Sequence, residues 1–594
     1  MIHEQLLRQA VAHHRAGRSQ EAERLYLEIL RTRPDHPDAR HNLGVLAMQT
    51  GRPHVGLPHL QTALRTAPEV DQYHLSCLDA LLQCGLTEEA RQLLARWQPS
   101  GHPLDSPPQE EMQALVSLYQ QRRYAEMECM ARDLRDRYFR DGFGWKVLGL
   151  ALKLQGRLEE AWILLQKAAE LLPEDGETAN YLGMIRHQQG RWEEAERCYR
   201  QALTWLPDYA EGHYNLGITL QDQGRLAEAE AHYRRALALR ADYVKPWNNL
   251  GNLLKEQARF VEAEEALLQA VGLQPELVDA QWNLALLYLS QGRYQEGWPL
   301  HETRHHPDKT DRKTLPIDVP FPMWRGEDLT GRTLLLTQEQ GLGDQIQFFR
   351  YVSRLKAMGV KRITLVCLAP LEALFAAQPE VDQVLVKETL QNYPQHDYWS
   401  FLLSLPLRLG TTPETIPATL PYLRAPMDRL SRWGDLVPGR GFRVGLVWKG
   451  NPKHSNDAHR SLPGLLPLVP LGSVPGVVLI SLQKENGEEA SHPPPGLTLL
   501  NPGAAIGDCA DTAALVAHLD LVISVDSAVA HLAGAMGKPC WVMLSAVGTD
   551  WRWLHDRADS PWYPGCMRLF RQGAPEEWSE VVERMASALE RWVS

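Results

Sequence analysis

Four clusters of residues in the second half of the chain join reactive side chains to turns that would expose them. The first is Gln338-Glu339-Gln340-Gly341-Leu342-Gly343-Asp344, after an apolar run. Gly341 and Gly343 permit a strained turn and a close backbone approach, and the helix start that follows can hold an anion. Asp344 at this turn is either a general base or a helix cap. The second is Trp448-Lys449-Gly450-Asn451-Pro452-Lys453, continuing through His454 and His459 to Arg460. Lys449, Lys453 and Arg460 there either neutralise a leaving diphosphate or form a solvated basic loop. The third is Ser481-Leu482-Gln483-Lys484, where Gln483 and Lys484 contact a nucleotide or sit on an exposed loop. The fourth runs from Asp520 to Gly534: an apolar strand, an acidic turn at Asp526, then a helix of small residues. Free amides at Ser527, Ala528 and Val529 suit a phosphate, and Asp526 suits ribose or sugar hydroxyls. His531 on that helix is a ligand contact or a structural histidine.

All four lie at strand ends. Arg332–Gln338, Lys361–Cys367 and Gln383–Val386 read as strands, with helices at Gln345–Met358 and Leu371–Gln378. After a Pro-rich stretch at 406–440, strands are expected at Arg443–Trp448, Val477–Leu482, Asp520–Val525 and Cys540–Leu544. Helices are expected near 511–519, at 527–536 and at Glu576–Val593. This alternation predicts two doubly wound α/β units, 312–430 and 431–594, with ligands outside the carboxyl ends of their strands. Pro316, Pro320 and Pro322 mark the linker into them.

Residues 1–311 carry a different signal. A 34-residue period is in register through 142–175, 176–209, 210–243 and 244–277, with Leu-Gly at 148–149, 182–183, 216–217 and 250–251. The segments 3–36, 37–70 and 71–104 keep the spacing, with Gly17, Gly51 and Gly85 in step. A three-residue slip precedes a degenerate copy at 108–141, and a last copy from 278 fades after Arg304. This resembles the tetratricopeptide pattern of paired helices stacked into a superhelix, here about eight to nine repeats. Asn42, Asn215, Asn249 and Asn283 all occupy the sixth position of a repeat. Amides there hold an extended acceptor backbone on the inner face or tie neighbouring repeats together.

The chain has 594 residues, a net charge of −11, and 44% hydrophobic against 23% charged residues, an ordinary globular balance. The acidic balance argues against nonspecific nucleic-acid binding as the main task. Eight Cys without a CxxC argue against a disulfide framework or zinc module. The N-terminus carries no apolar signal-peptide core, and the charge-free stretch Ser461–Gln483 contains four prolines that would break a membrane helix. A cytoplasmic protein without membrane insertion is expected.

The motifs GLGD (341–344), VGLVWKG (444–450), SLQK (481–484), DSAVAHLAGAMGKP (526–539), DWRWL (550–554) and SPWYP (560–564) resemble a heptosyltransferase-like GT-B glycosyltransferase over roughly 318–590. With the repeats, the chain resembles bacterial tetratricopeptide glycosyltransferases, in an architecture similar to that of O-GlcNAc transferase. The resemblance implies an α-solenoid followed by a GT-B fold, and transfer from a nucleotide sugar with no required metal and no further cofactor. It places the donor mainly against the C-terminal unit and puts Asp344 at the position of the proposed base. Family members commonly have Thr where this chain has Ser527, and the basic loop does not align cleanly. The expected function is inverting transfer of a sugar to a Ser or Thr hydroxyl of a protein captured by the repeats. The alternatives are a non-catalytic scaffold and a sugar-nucleotide-processing enzyme.

Overall fold

The computed structural model describes residues 2–98, 106–309, 317–454, 456–484, 488–575 and 577–594. The slip before the degenerate repeat overlaps the remainder. Pro316, the 311/312 boundary and Glu576 lie outside the described residues. The chain divides into two units, Met1–Pro246 and Trp247–Ser594.

The first unit is a helical solenoid. Among its described residues, successive helices run from Ile2–Arg15 to Leu226–Leu239. The Leu-Gly signature has a steric cause. A methyl group added at Gly149, Gly183 or Gly217 would lie 2.6–2.7 Å from Leu165, Tyr199 or Tyr233. These helices approach more closely than any side chain allows, so the glycine and its large partner recur together. The turn between the paired helices needs a left-handed residue. Gly190 and Gly224 supply it at φ 72° and 75°. In the degenerate copy Arg122 takes the same place at φ 57°, and Ala258 does so in the second unit at φ 58°. Packing therefore keeps the turn even where glycine is lost.

The second unit begins with repeat helices Val244–Glu256, Phe260–Leu273, Val278–Ser290 and Tyr294–His301, the first of which starts just before the dividing line. Two parallel sheets follow. The first contains β1 (Thr333–Thr337), β2 (Arg362–Cys367), β3 (Gln383–Val386) and β4 (Tyr398–Phe401), in the order β3-β2-β1-β4. The second contains β5 (Phe442–Val447), β6 (Val477–Ser481), β7 (Leu499–Leu500), β8 (Leu521–Val525), β9 (Cys540–Leu544) and β10 (Met567–Arg571), in the order β10-β9-β8-β5-β6-β7. Every pairing between these strands is parallel, with Leu336 beside Leu365 and Ser400, and Val447 beside Ser524. Continuous apolar strands such as β8, buried along its whole length, are what a sheet covered on both faces requires. Strand order reverses between β1 and β4 and between β5 and β8, and at such reversals an open α/β sheet leaves a crevice.

Two expectations need correcting. The single helix at Gln345–Met358 is two helices, Leu342–Phe348 and Tyr351–Ala357. Arg350 marks the break. It is buried, donates to the Gln347 carbonyl at 3.0 Å and the Trp562 carbonyl at 2.5 Å, and lies over the rings of Tyr422 and Tyr563. The short strands β4, β7 and β10 were not anticipated. Among the described residues no helix is long and apolar enough to cross a membrane.

Candidate active site

The glycine loop leaves β1 and enters the helix Leu342–Phe348 with Gly341 as its cap residue. Asp344 turns back and accepts the Gly341 N–H at 2.9 Å. Its other oxygen meets the Arg552 guanidinium. Arg552 is buried and also binds Asp550 in a fork, Nη1 donating at 2.9 and 2.8 Å. Burial pushes the Asp344 carboxyl above its ordinary range, and Asp550 adds to the rise while Arg552 opposes it. Asp344 is thus both the loop's internal cap and one wall of a buried ion cluster.

Asp526 stands at the end of β8, on the other wall. Burial first, and the neighbouring Asp550 second, raise its pKa to about 6, against the pull of Trp553, Arg460 and Arg552. Ser527 caps the helix Ala528–Ala535, accepting the Val529 N–H at 3.3 Å and lying 2.8 Å from the Ser524 hydroxyl. His531 is buried in this helix, with Nδ1 2.9 Å from the Tyr563 hydroxyl and its ring stacked on Trp553 at 5.1 Å. Burial, reinforced by Arg552, lowers its pKa to about 3, so it is neutral at physiological pH. A methyl group at Gly343 would fall 2.8 Å from His531 Cδ2 and 3.5 Å from Ala528 Cα. The second glycine of the loop is therefore what lets the two crevices meet. Gly341, Gly343, Asp344, Asp526, Ser527, Ala528 and His531 are brought to one place.

The basic loop is arranged differently. Lys449 reaches Glu489 in an ion pair, and Glu489 also accepts the Leu465 N–H at 3.1 Å. A shallow hollow lined by Pro463, Leu465, Pro467, Glu489, His492 and Pro494 lies beside this pair, and it includes none of the clustered residues. Arg460 donates to Asp457 at 3.3 Å and lies close enough to influence Asp526. Lys453 is exposed. Gln483 is buried and accepts the amides of Trp448 and Lys449 at 3.2 and 3.1 Å, which staples β5 to β6. Lys484 donates to the Gly507 carbonyl at 2.6 Å.

The repeat asparagines are half-buried. Asn215 donates to Asn180 at 2.9 Å and Asn283 to Asn248 at 3.0 Å, each joining one repeat to the next. Asn249 accepts from Asn248 at 3.4 Å, and Asn42 lies 3.3 Å from the His41 ring.

Arg552, Asp550 and Trp553 were given no role by the sequence, although they lie within its DWRWL motif. A second unforeseen feature supports the glycine loop. Glu339, with no exposed side-chain surface, takes a bidentate pair from Arg304 at 2.8 and 3.0 Å. Arg304 follows the last repeat helix and also binds Glu302 at 2.6 Å and the Ser404 hydroxyl at 2.9 Å. Trp551 packs against Trp298 at 5.3 Å, and the Trp562 indole donates to the Tyr294 hydroxyl at 3.0 Å. The last repeat thus buttresses both loops that carry the cluster. Among the described residues no group of three or more His, Cys, Asp or Glu side chains is placed to hold a metal ion.

Models of the tetratricopeptide repeat match residues 7–53, 41–104, 174–242 and 208–276. The model of glycosyltransferase family 9 (heptosyltransferase) matches residues 505–542, which contain Asp526 and His531. The chain is similar to tetratricopeptide-repeat glycosyltransferases. Protein FlbA of Caulobacter vibrioides is 30% identical over 316 residues, covering 50% of this chain and 52% of FlbA. The chain thus spans about half the length of that relative. Among solved structures, MamA is 21% identical over 26% of this chain and 91% of its own, at a TM-score of 0.25. The APC/C hetero-tetramer Cut9–Hcn1 is 16% identical over 49% and 57%, at 0.31. YrrB, described as a tetratricopeptide protein with an unusual peptide-binding site, is 17% identical over 30% and 90%, at 0.25. These scores are low, and the repeat assignment rests on the sequence period and the paired helices.

Proposed function

We propose that the protein is an inverting GT-B glycosyltransferase. It moves a sugar from a nucleotide sugar to a Ser or Thr hydroxyl of a protein held by the repeats, in the cytoplasm and with no cofactor beyond the donor. Residues 312–430 form the acceptor-side unit and 431–594 the donor unit. The observation that supports this most is the meeting of Asp344 with the end of β8, where Asp526 and the start of a helix face it. The acceptor hydroxyl gives its proton to Asp344 as its oxygen bonds to the anomeric carbon. The bond from that carbon to the diphosphate breaks on the opposite face, and the electron pair leaves with the phosphate oxygen. Amides at Ser527 and Ala528, with a cation beside them, stabilise the departing charge. Asp526 holds hydroxyls of the donor, and His531 supports the glycine loop through contact with Gly343.

The test is a panel of nucleotide sugars offered to the wild type and to Asp344→Asn with a candidate protein acceptor. The wild type should bind one donor and transfer its sugar. The variant should transfer at least ~100-fold more slowly, the lower range for loss of a general base. A panel without any binder would favour a scaffold instead.

A further inference from the structure

The basic loop offers three cations to a leaving diphosphate, and each is paired or exposed. Lys449 is held by Glu489, Lys453 lies on an exposed loop, and Arg460 is held by Asp457. Arg552 sits in the cluster itself, between Asp344 and Asp550. Its side chain is 7% exposed, and its buried Nε has no hydrogen-bond partner among the described residues. It lies near enough to Asp526 and His531 to affect the charge of both. Arginine offers five donors in a rigid fork, which suits two phosphate oxygens as well as it suits a carboxylate.

We propose that Arg552 is the diphosphate-binding cation of this site and that in the resting protein it locks Asp344. This rests on the transferase reading above and deepens it. A carboxylate paired with a guanidinium is a poor proton acceptor, because the pair stabilises its ionised form. When the donor enters, its diphosphate competes for the same fork. Arg552 turns from Asp344 to the phosphate oxygens while Asp550 keeps hold of Nη1. Asp344 then loses its counter-charge and becomes the stronger base only in the donor complex. The acceptor proton goes to Asp344, the anomeric carbon–oxygen bond to the diphosphate breaks, and Arg552 meets the negative charge that the leaving oxygen gains. One residue thus joins donor binding to base activation, and transfer without bound donor is suppressed.

The test uses the full chain and inorganic pyrophosphate as the probe, measured by titration calorimetry, so no knowledge of the sugar is needed. Asp344→Asn removes the competitor for Arg552 and should bind pyrophosphate about tenfold or more tightly than the wild type, the range for one charged hydrogen bond. Arg552→Met should bind about tenfold or more weakly, and Arg552→Lys should fall between. The double variant Asp344→Asn/Arg552→Met should be as weak as Arg552→Met. If Asp344→Asn gains nothing, or if the double variant keeps the gain, the proposal is wrong. Failure of both the wild type and Asp344→Asn to bind pyrophosphate also overturns it. Circular dichroism checks that each variant is folded, and the Asp344→Asn arm decides alone if Arg552→Met is not. Because no sugar transfer is measured, a failed donor panel and a failed lock remain distinct results.

Discussion

Replacing Arg304 by Met should destabilise the second unit far more than any surface change. Glu339 is wholly buried, and Arg304 is its bidentate partner. Glu302 can fall back on Arg408 at 3.1 Å and the Ser404 hydroxyl at 2.9 Å. Without Arg304, Glu339 still has the Leu403 amide and His305 at 3.3 Å, but His305 is held neutral with a pKa of about 3 and brings no charge. Removing one partner of a buried pair costs about 3–5 kcal/mol, because the remaining charge is stranded. Burial already pushes the Glu339 carboxyl upward, and loss of Arg304 pushes it further. A raised carboxyl pKa gives stability that is present at low pH and lost as pH rises, so the variant's deficit should be larger at pH 8 than at pH 5. The double variant Arg304→Met/Glu339→Gln strands no charge and should recover most of the loss. Urea unfolding followed by tryptophan fluorescence measures all three proteins. A cost below about 1 kcal/mol for Arg304→Met, or a double variant no better than the single one, would refute the reasoning.

Gly343→Ala places a methyl group 2.8 Å from His531 Cδ2, and should cost about 1–3 kcal/mol in thermal unfolding with a loss of donor affinity. Unchanged melting would mean that the loop yields freely. Asp526 has its pKa raised to about 6, so wild-type stability from this group is full below pH 4 and lost as pH rises through 6. Asp526→Asn should remove that slope and be more stable at pH 7 by up to about 3 kcal/mol, while binding donor more weakly by calorimetry. Asn215→Ala and Asn283→Ala each break an amide contact between repeats and should each cost about 1 kcal/mol of stability. If they instead weaken only acceptor modification, the amides serve a ligand more than the stack.

The apolar runs within β1, β2, β5, β6, β8 and β9 are visible in the sequence because the sheets bury those stretches on both faces. β10 (Met-Arg-Leu-Phe-Arg) hides because two arginines interrupt its apolar residues at the sheet edge, and β7 is only two residues long. The helix break at Arg350 has no local signal, since Arg350 earns its place through partners as far away as Trp562. The gathered residues Gly343, Asp344, Asp526 and His531 are legible because each lies in the turn or the helix that comes next after a strand. Arg552 is not, because its partner Asp344 lies 208 residues away and only the fold joins them. The same limit applies to Lys449, whose charge gives no hint that Glu489 will occupy it.

The buttress formed by Tyr294, Trp298, Trp551 and Trp562 fixes where this gene tolerates recombination. A crossover between residues 306 and 332 would bring in a foreign last repeat, and with it foreign surfaces opposite Trp551, Trp562 and Glu339. A crossover before Trp247 leaves all of those contacts inherited together. Chimaeras that exchange the repeat array should therefore survive when the last two repeats travel with the sheets, and lineages of this architecture should diversify their arrays from the amino-terminal side.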